Sequence, residues 1–309
     1  MRSHDVLDRS PPIAAAAAVL GLLLAACGAG AQDDEDGANA DVDADPAASE
    51  QSATASAVAA ADSLPAAIVG EAGPPTGEHV NYFTADPDTR GYLAVPEGEG
   101  PFPAVVLIHE WNGLVDRIRQ FADAMAEEGY VALAADLYSG RTGDSPEENR
   151  ALVAEVQENE DRMIANLNAA VEFLRGRDDV TGRVATIGWC FGGGVALSYA
   201  LGGERHEGTA IFYGSLIDDP ERLRSIGHEV YGTFGELDTG IPPEAVERFV
   251  GALREAGVPN DVHIYDGVGH AFWLYVEQDP EARAGPAADA WSRLEAYLGR
   301  VLGGTAPSA

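Results

Sequence analysis

Lysine is absent from the 309-residue chain: all 19 basic side chains are arginine, against 51 aspartates and glutamates. Without lysine there is no Walker A phosphate site, no Schiff-base nucleophile and no pyridoxal-type centre. The formal net charge of -32 disfavours nucleic acid and anionic membrane surfaces as partners. Cysteine is nearly absent too. Only Cys27 and Cys190 occur, which excludes a disulfide framework or a cysteine-based zinc site within one chain. Long hydrophobic runs are missing as well. The apolar stretch Ile13 to Ala26 is too short to cross a bilayer, which takes about 20 residues.

That stretch suits the core of an export signal, and Leu24-Ala25-Ala26-Cys27 follows as a cleavage site. It resembles a bacterial lipoprotein signal over residues 1–26, which implies that Cys27 carries lipid. Asp5 and Asp8 offset Arg2 and Arg9, so the charged start is weak, and a signal cleaved without lipidation is the alternative. Residues 27–75 are Ala, Asp, Glu, Ser and Gly with few bulky side chains. Such a segment buries too little apolar surface to offset its ordering entropy, and it reads as a disordered acidic tether. The expected location is extracytoplasmic, on a membrane anchor.

From residue 76 to 303 the chain has the composition of one folded domain, with a short tail at 304–309. Glu78–Thr84 and Arg90–Pro96 alternate as edge strands do. Ala104–His109, Tyr130–Leu137, Val184–Trp189, Thr209–Tyr213, Glu229–Phe234 and Asp261–Tyr265 are short apolar strands. Helical patterns lie between them: Asp116–Glu128, Pro146–Gln157, Asp161–Arg175, the stretch after Cys190, Pro242–Ala256 and Pro286–Leu302. Strands alternating with crossover helices predict an α/β fold, a mainly parallel sheet of about eight strands with helices on both faces.

The stretch Gly188-Trp189-Cys190-Phe191-Gly192 lies between a strand and a helix and fits the nucleophile elbow G-x-S-x-G, with sulfur in place of oxygen. An inert cysteine in a glycine-rich connection is the alternative. Asp238 and His270 follow later strands, giving the nucleophile–acid–base order of α/β-hydrolases. Taken singly, Asp238 could cap a helix and His270 could be structural. Glu110 follows Ala104–His109, where an isolated glutamate could equally cap the next helix or pair with an arginine. His109-Glu110 does not open an H-E-x-x-H zinc site, because Gly113 stands where the second histidine belongs.

His109-Glu110-Trp111-x-Gly113-Leu114, Asp136-Leu137-Tyr138, Gly188-x-Cys190-x-Gly192-Gly193, Gly235-x-x-Asp238 and Gly269-His270-Ala271-Phe272 occur in this order. Together they resemble the dienelactone hydrolase family, a thiol-dependent branch of the α/β-hydrolases. The resemblance implies Cys190 as nucleophile, His270 as base and Asp238 as its orienting acid. It implies that Glu110 holds the resting thiol, and that the Phe191 and Trp111 amides form the oxyanion hole. Small esters or lactones are the implied substrates, hydrolysed through a thioester; that chemistry calls for no metal or organic cofactor, and a monomer is expected.

The pattern departs from the family where a substrate carboxylate would be clamped. Leu274 replaces one arginine and Gly140 the other, with Arg141 one residue later and Arg117 and Arg150 as further candidates. Tyr138, Arg141, Phe272, Trp273 and Leu274 are the expected pocket. Neutral esters or lactones are therefore expected over dienelactone. A catalytically idle binding module and a redox-sensing Cys190 are the competing classes.

Overall fold

The computed structural model describes residues 60–303. The expected signal, Cys27, most of the tether and the tail lie outside the described residues.

Eight strands form one sheet in the order β1-β2-β4-β3-β5-β6-β7-β8. They are β1 Glu78–Val80, β2 Gly91–Ala94, β3 Phe102–Ile108, β4 Val131–Ala135, β5 Val180–Trp189, β6 Gly208–Phe212, β7 Val230–Gly235 and β8 Asn260–Tyr265. β1 and β2 pair antiparallel at one edge, and every pairing from β4 to β8 is parallel. The helices are α1 Ala66–Val69, α2 Asp116–Glu127, α3 Pro146–Glu158, α4 Glu160–Arg175, α5 Phe191–Gly202, α6 Pro220–Leu223, α7 Pro243–Ala256 and α8 Pro280–Leu302.

The two-residue repeat of β3 divides its side chains between two cores. Val105 and Leu107 join α2 and α8 on one face, while Ala104, Val106 and Ile108 join α4 and α5 on the other. The first core is aromatic around Phe121. Its ring lies edge-on to Trp189 at 5.1 Å and Trp273 at 5.3 Å. Each such pair adds about 0.5–1.5 kcal/mol beyond burial, and Phe121→Ala would cost about 3–5 kcal/mol. Because Trp189 ends β5, that packing also fixes the residue before Cys190.

Local signals set several boundaries. Ser145 accepts from the Glu148 amide at 3.2 Å and starts α3, with Pro146 in its first turn. Asn159 separates α3 from α4. α7 ends at Gly257 in the left-handed region, φ 76°.

Three expectations are corrected. The tether was expected to reach residue 75, but Leu64, Ala67 and Ile68 are buried in the first core. These few apolar residues find a ready-made surface on α2, which a compositional reading of an isolated segment does not supply. β1 stops at Val80 rather than Thr84, because Tyr82 turns inward. Its hydroxyl accepts from the Asp136 amide at 2.9 Å and donates to Asn166 Oδ1 at 2.7 Å. α8 begins at Pro280 rather than Pro286. Asp279 caps it by accepting from the Ala282 amide at 3.3 Å, and buried Ala284 and Ala287 hold the turn around Pro286 in the core.

Candidate active site

Every candidate for catalysis or the oxyanion hole, with Tyr138, lies where a strand of the sheet delivers its carboxyl end. Glu110 and Trp111 follow β3, Tyr138 follows β4, Cys190 and Phe191 follow β5, Asp238 follows β7 and His270 follows β8. In an open parallel sheet this rim is where ligands bind.

Cys190 occupies the sharp turn between β5 and α5 with φ 53° and ψ -116°. A side chain in that backbone region is strained by about 1–3 kcal/mol, so the surroundings must hold it. They do so from two sides: the Cys190 amide donates to the Phe212 carbonyl at 3.0 Å, and its carbonyl accepts from the Gly193 amide at 3.1 Å. Cys190 is free and partly exposed. α5 points its amino end at this turn. Among the described residues, neither the Phe191 nor the Trp111 amide has an intramolecular acceptor. The Tyr138 hydroxyl donates to the Trp111 carbonyl at 3.0 Å and so orients that peptide.

His270 Nδ1 donates to Asp238 Oδ2 at 2.6 Å. This leaves Nε2 as the ring nitrogen open to other groups. Burial opposes charging the imidazole, but the Asp238 hydrogen bond and charge, with Cys190 nearby, push it up to about 10. Asp238 itself is 4% exposed. Burial works against its ionised form. The His270 bond and charge, with the Gly240 amide at 2.9 Å and the Ile241 amide at 3.2 Å, prevail and hold the carboxyl below its ordinary range.

Glu110 is 5% exposed. It accepts from the Tyr275 hydroxyl at 2.5 Å, and among the described residues it makes no hydrogen bond to Cys190. Burial pushes its carboxyl up, against the opposing pull of Tyr275, His270 and Arg117. The preceding His109 is fully buried and donates from Nδ1 to the Glu110 carbonyl at 2.6 Å. Its Nε2 accepts from the Leu137 amide at 3.3 Å. Burial lowers its pKa, which keeps it a neutral strut.

The expected pocket is corrected. Phe272, Trp273 and Leu274 are fully buried in the first core, and Trp273 packs on Trp189 and Phe212. The chain turns sharply at Ala271, φ 59°, and directs the next three residues inward. Arg141 is drawn away to Glu155 at 2.7 Å. Tyr138 is buried and acts through the Trp111 peptide instead. The apolar rim that remains exposed is Trp111, at 37%, and Leu237, at 60%.

Sequence reasoning missed three residues: Tyr275, Arg117 in its actual position, and Tyr213. Tyr213 has φ 41°, lies edge-on to His270 at 5.0 Å and has a buried hydroxyl without a partner. A lone tyrosine in a loop or an arginine on a helix carries no spacing signal that could have found them. No group of three or more His, Cys, Asp or Glu among the described residues could hold a metal ion.

The family model for the dienelactone hydrolase family matches residues 89–302, which spans every strand from β2 to β8 and all the rim residues above. The chain belongs to the dienelactone hydrolase family. A protein of Methylorubrum extorquens named "Putative carboxymethylenebutenolidase" is 31% identical over 220 residues, covering 67% of this chain and 75% of its own. Among solved structures, one titled "m3DLH" is 28% identical with a TM-score of 0.62, covering 69% of this chain and 93% of its own. A dienelactone hydrolase-like promiscuous phosphotriesterase from metagenomic libraries, at 24% identity and a TM-score of 0.65, shares the fold over 74% of this chain and 99% of its own. As a dienelactone hydrolase family member with this α/β-hydrolase fold, the chain is a hydrolase of carboxylic esters or lactones.

Proposed function

We propose that the protein hydrolyses small neutral esters or lactones through Cys190, His270 and Asp238. The observation that carries this reading is the 2.6 Å His270–Asp238 hydrogen bond beside a cysteine held at φ 53° in the strand-to-helix turn. A thiolate is the nucleophilic form of cysteine, and His270, as a base within reach, supplies it by taking the thiol proton.

Cys190 Sγ attacks the substrate carbonyl carbon and forms the C–S bond as the carbonyl π electrons move to oxygen. The Phe191 and Trp111 amides donate to that oxyanion, each worth about 3 kcal/mol. The tetrahedral centre collapses, the C–O bond breaks, and His270 Nε2 gives its proton to the departing alkoxide. Neutral His270 then takes a proton from water as its oxygen attacks the thioester. Collapse releases the acid and restores the thiolate beside the imidazolium. Asp238 keeps Nδ1 protonated throughout and steadies the charge on the ring.

Neutral substrates fit the electrostatics. Residues 63–309 hold 17 arginines against 40 acids, a field that lowers the local concentration of anions. Arg117 and Arg141 are both engaged by glutamates. The exposed Trp111 and Leu237 offer apolar contact at the mouth. We further propose that the chain is exported and lipid-anchored through Cys27 and acts as a monomer.

The test compares hydrolysis of neutral p-nitrophenyl esters by the intact protein and by Cys190→Ala. Iodoacetamide should label Cys190 and abolish turnover, and Cys190→Ala should be inactive. Full activity in the alanine variant would refute the assignment. A higher kcat/KM for dienelactone than for a neutral ester at low salt would refute the substrate class.

A further inference from the structure

The chemistry above leaves unused a buried polar cluster around Glu110. The Tyr275 hydroxyl meets Glu110 Oε2 at 2.5 Å. Tyr275 is fixed from behind: its carbonyl accepts from Arg283 Nη1 at 2.8 Å, and the Arg117 guanidinium lies 5.1 Å from its ring centroid. Arg117 is anchored in turn, donating to the Ala67 carbonyl of α1 and to Glu277. Gln120 of α2 donates to the Gly73 carbonyl at 2.8 Å and ties down the same segment. A continuous path thus runs from the folded base of the amino-terminal segment, through Arg117 and Tyr275, to the carboxylate beside the reacting pair. That base lies before residue 89, where the family match begins.

The groups facing Glu110 are Tyr275, His270 and Arg117, and the unpartnered Tyr213 hydroxyl is buried near both Glu110 and Tyr275. A buried carboxylate with one short, firm donor stays where that donor holds it, because any other position leaves a charge unpaired. Burial also keeps the proton on Tyr275, as does the neighbouring carboxylate, so its hydroxyl acts as donor and not acceptor.

We propose that Tyr275 is a positioning residue that latches Glu110 in its ionised form away from Cys190, and that α1 braces this latch through Arg117. The inference rests on the hydrolase reading for its activity readout but not for its thiol readout. With the hydroxyl removed, the carboxyl loses its strongest donor while its burial is unchanged, so it protonates at higher pH. The ionised form then persists only in more alkaline solution, and without the hydroxyl nothing holds it in place.

The experiment measures kcat and KM across pH 5–9 for the full chain, Tyr275→Phe, Glu110→Gln and the double variant, alongside the rate at which iodoacetamide alkylates Cys190. For Tyr275→Phe the acid limb of kcat/KM should move up by about one pH unit, a tenfold loss on the acid side of the limb and little at pH 9. KM should stay near that of the parent, and the alkylation profile should shift in parallel. Adding Tyr275→Phe to Glu110→Gln should change neither profile further, since the tyrosine acts through the glutamate. A general structural role would lower activity evenly across pH and lower the melting temperature without moving the limb. An unmoved acid limb in both readouts, or additive losses in the double variant, would overturn the latch. If Cys190→Ala still hydrolyses esters, the nucleophile assignment fails, while the alkylation profile still decides the fate of the latch.

Discussion

Adding one methyl group at Gly193 should disable the site from behind. Gly193 is the third residue of α5, and its amide donates to the Cys190 carbonyl. A Cβ there would lie 2.8 Å from Gly214 Cα and 2.9 Å from the Phe212 carbonyl oxygen, both backbone atoms that no rotamer change can move. Ordinary contact begins at 3.4 Å, so α5 and the end of β6 must part by about 0.6 Å. The Phe212 oxygen also accepts from the Cys190 amide at 3.0 Å, so the displacement is passed directly to Cys190. Overpacking of this kind costs about 1–3 kcal/mol, which lowers Tm by roughly 2–12 °C in a domain of this size. A misplacement of about 1 Å costs roughly a hundredfold in rate, so about tenfold is expected here. Gly194→Ala is the matched control. Its Cβ would lie 3.3 Å from Ser215 Cβ, which needs a shift of only about 0.1 Å. It also gains up to about 1 kcal/mol of helix propensity. Calorimetry and ester hydrolysis on both variants check this. Equal stability and activity in the two would refute the close-approach argument.

Asp238→Asn keeps an acceptor for the Gly240 and Ile241 amides but removes the charge facing His270. A charge-assisted bond is worth about 1.5–3 kcal/mol, so kcat/KM should fall about tenfold, the low end because His270 is half exposed. The imidazole should then titrate well below about 10, and an unchanged NMR titration of His270 would contradict this. At the opposite end of the strands, His206 and His228 share the Thr209 hydroxyl at 2.9 and 2.8 Å. Burial lowers both, His228 to about 3. Folding therefore favours the neutral rings: their contribution is complete above about pH 6.5 and is lost as pH falls toward 3, since the unfolded chain takes protons that the folded one refuses. His228 alone should account for about 2 kcal/mol lost between pH 7 and 5. Urea unfolding at the two pH values should show a smaller loss in His228→Gln, and an equal loss would rule the pair out. Cys27→Ser should move the protein from the membrane fraction to the medium or leave an unprocessed precursor; wild-type protein found in the cytoplasm would disprove the export reading.

The sequence alone determined the strand-and-helix order, the break at Asn159 and the positions of Cys190, Asp238 and His270, each just past a different strand. Those features are local. They follow from the side-chain period, from capping residues and from a turn that glycines permit, and in a parallel sheet, strand order carries them to one rim. Tertiary structure decided what depends on which surfaces meet. Leu64 and Ile68 look like the end of a polar tether until α2 offers them a core. Phe272, Trp273 and Leu274 look like a pocket wall until the turn at Ala271 sends them inward to the Trp189 cluster. The bond between Tyr275 and Glu110 spans 165 residues of chain. Periodicity reports that a residue has an apolar side to bury or a hydroxyl to satisfy. Its partner is chosen only when distant segments are packed together, since burial and hydrogen bonding act through space and not along the chain.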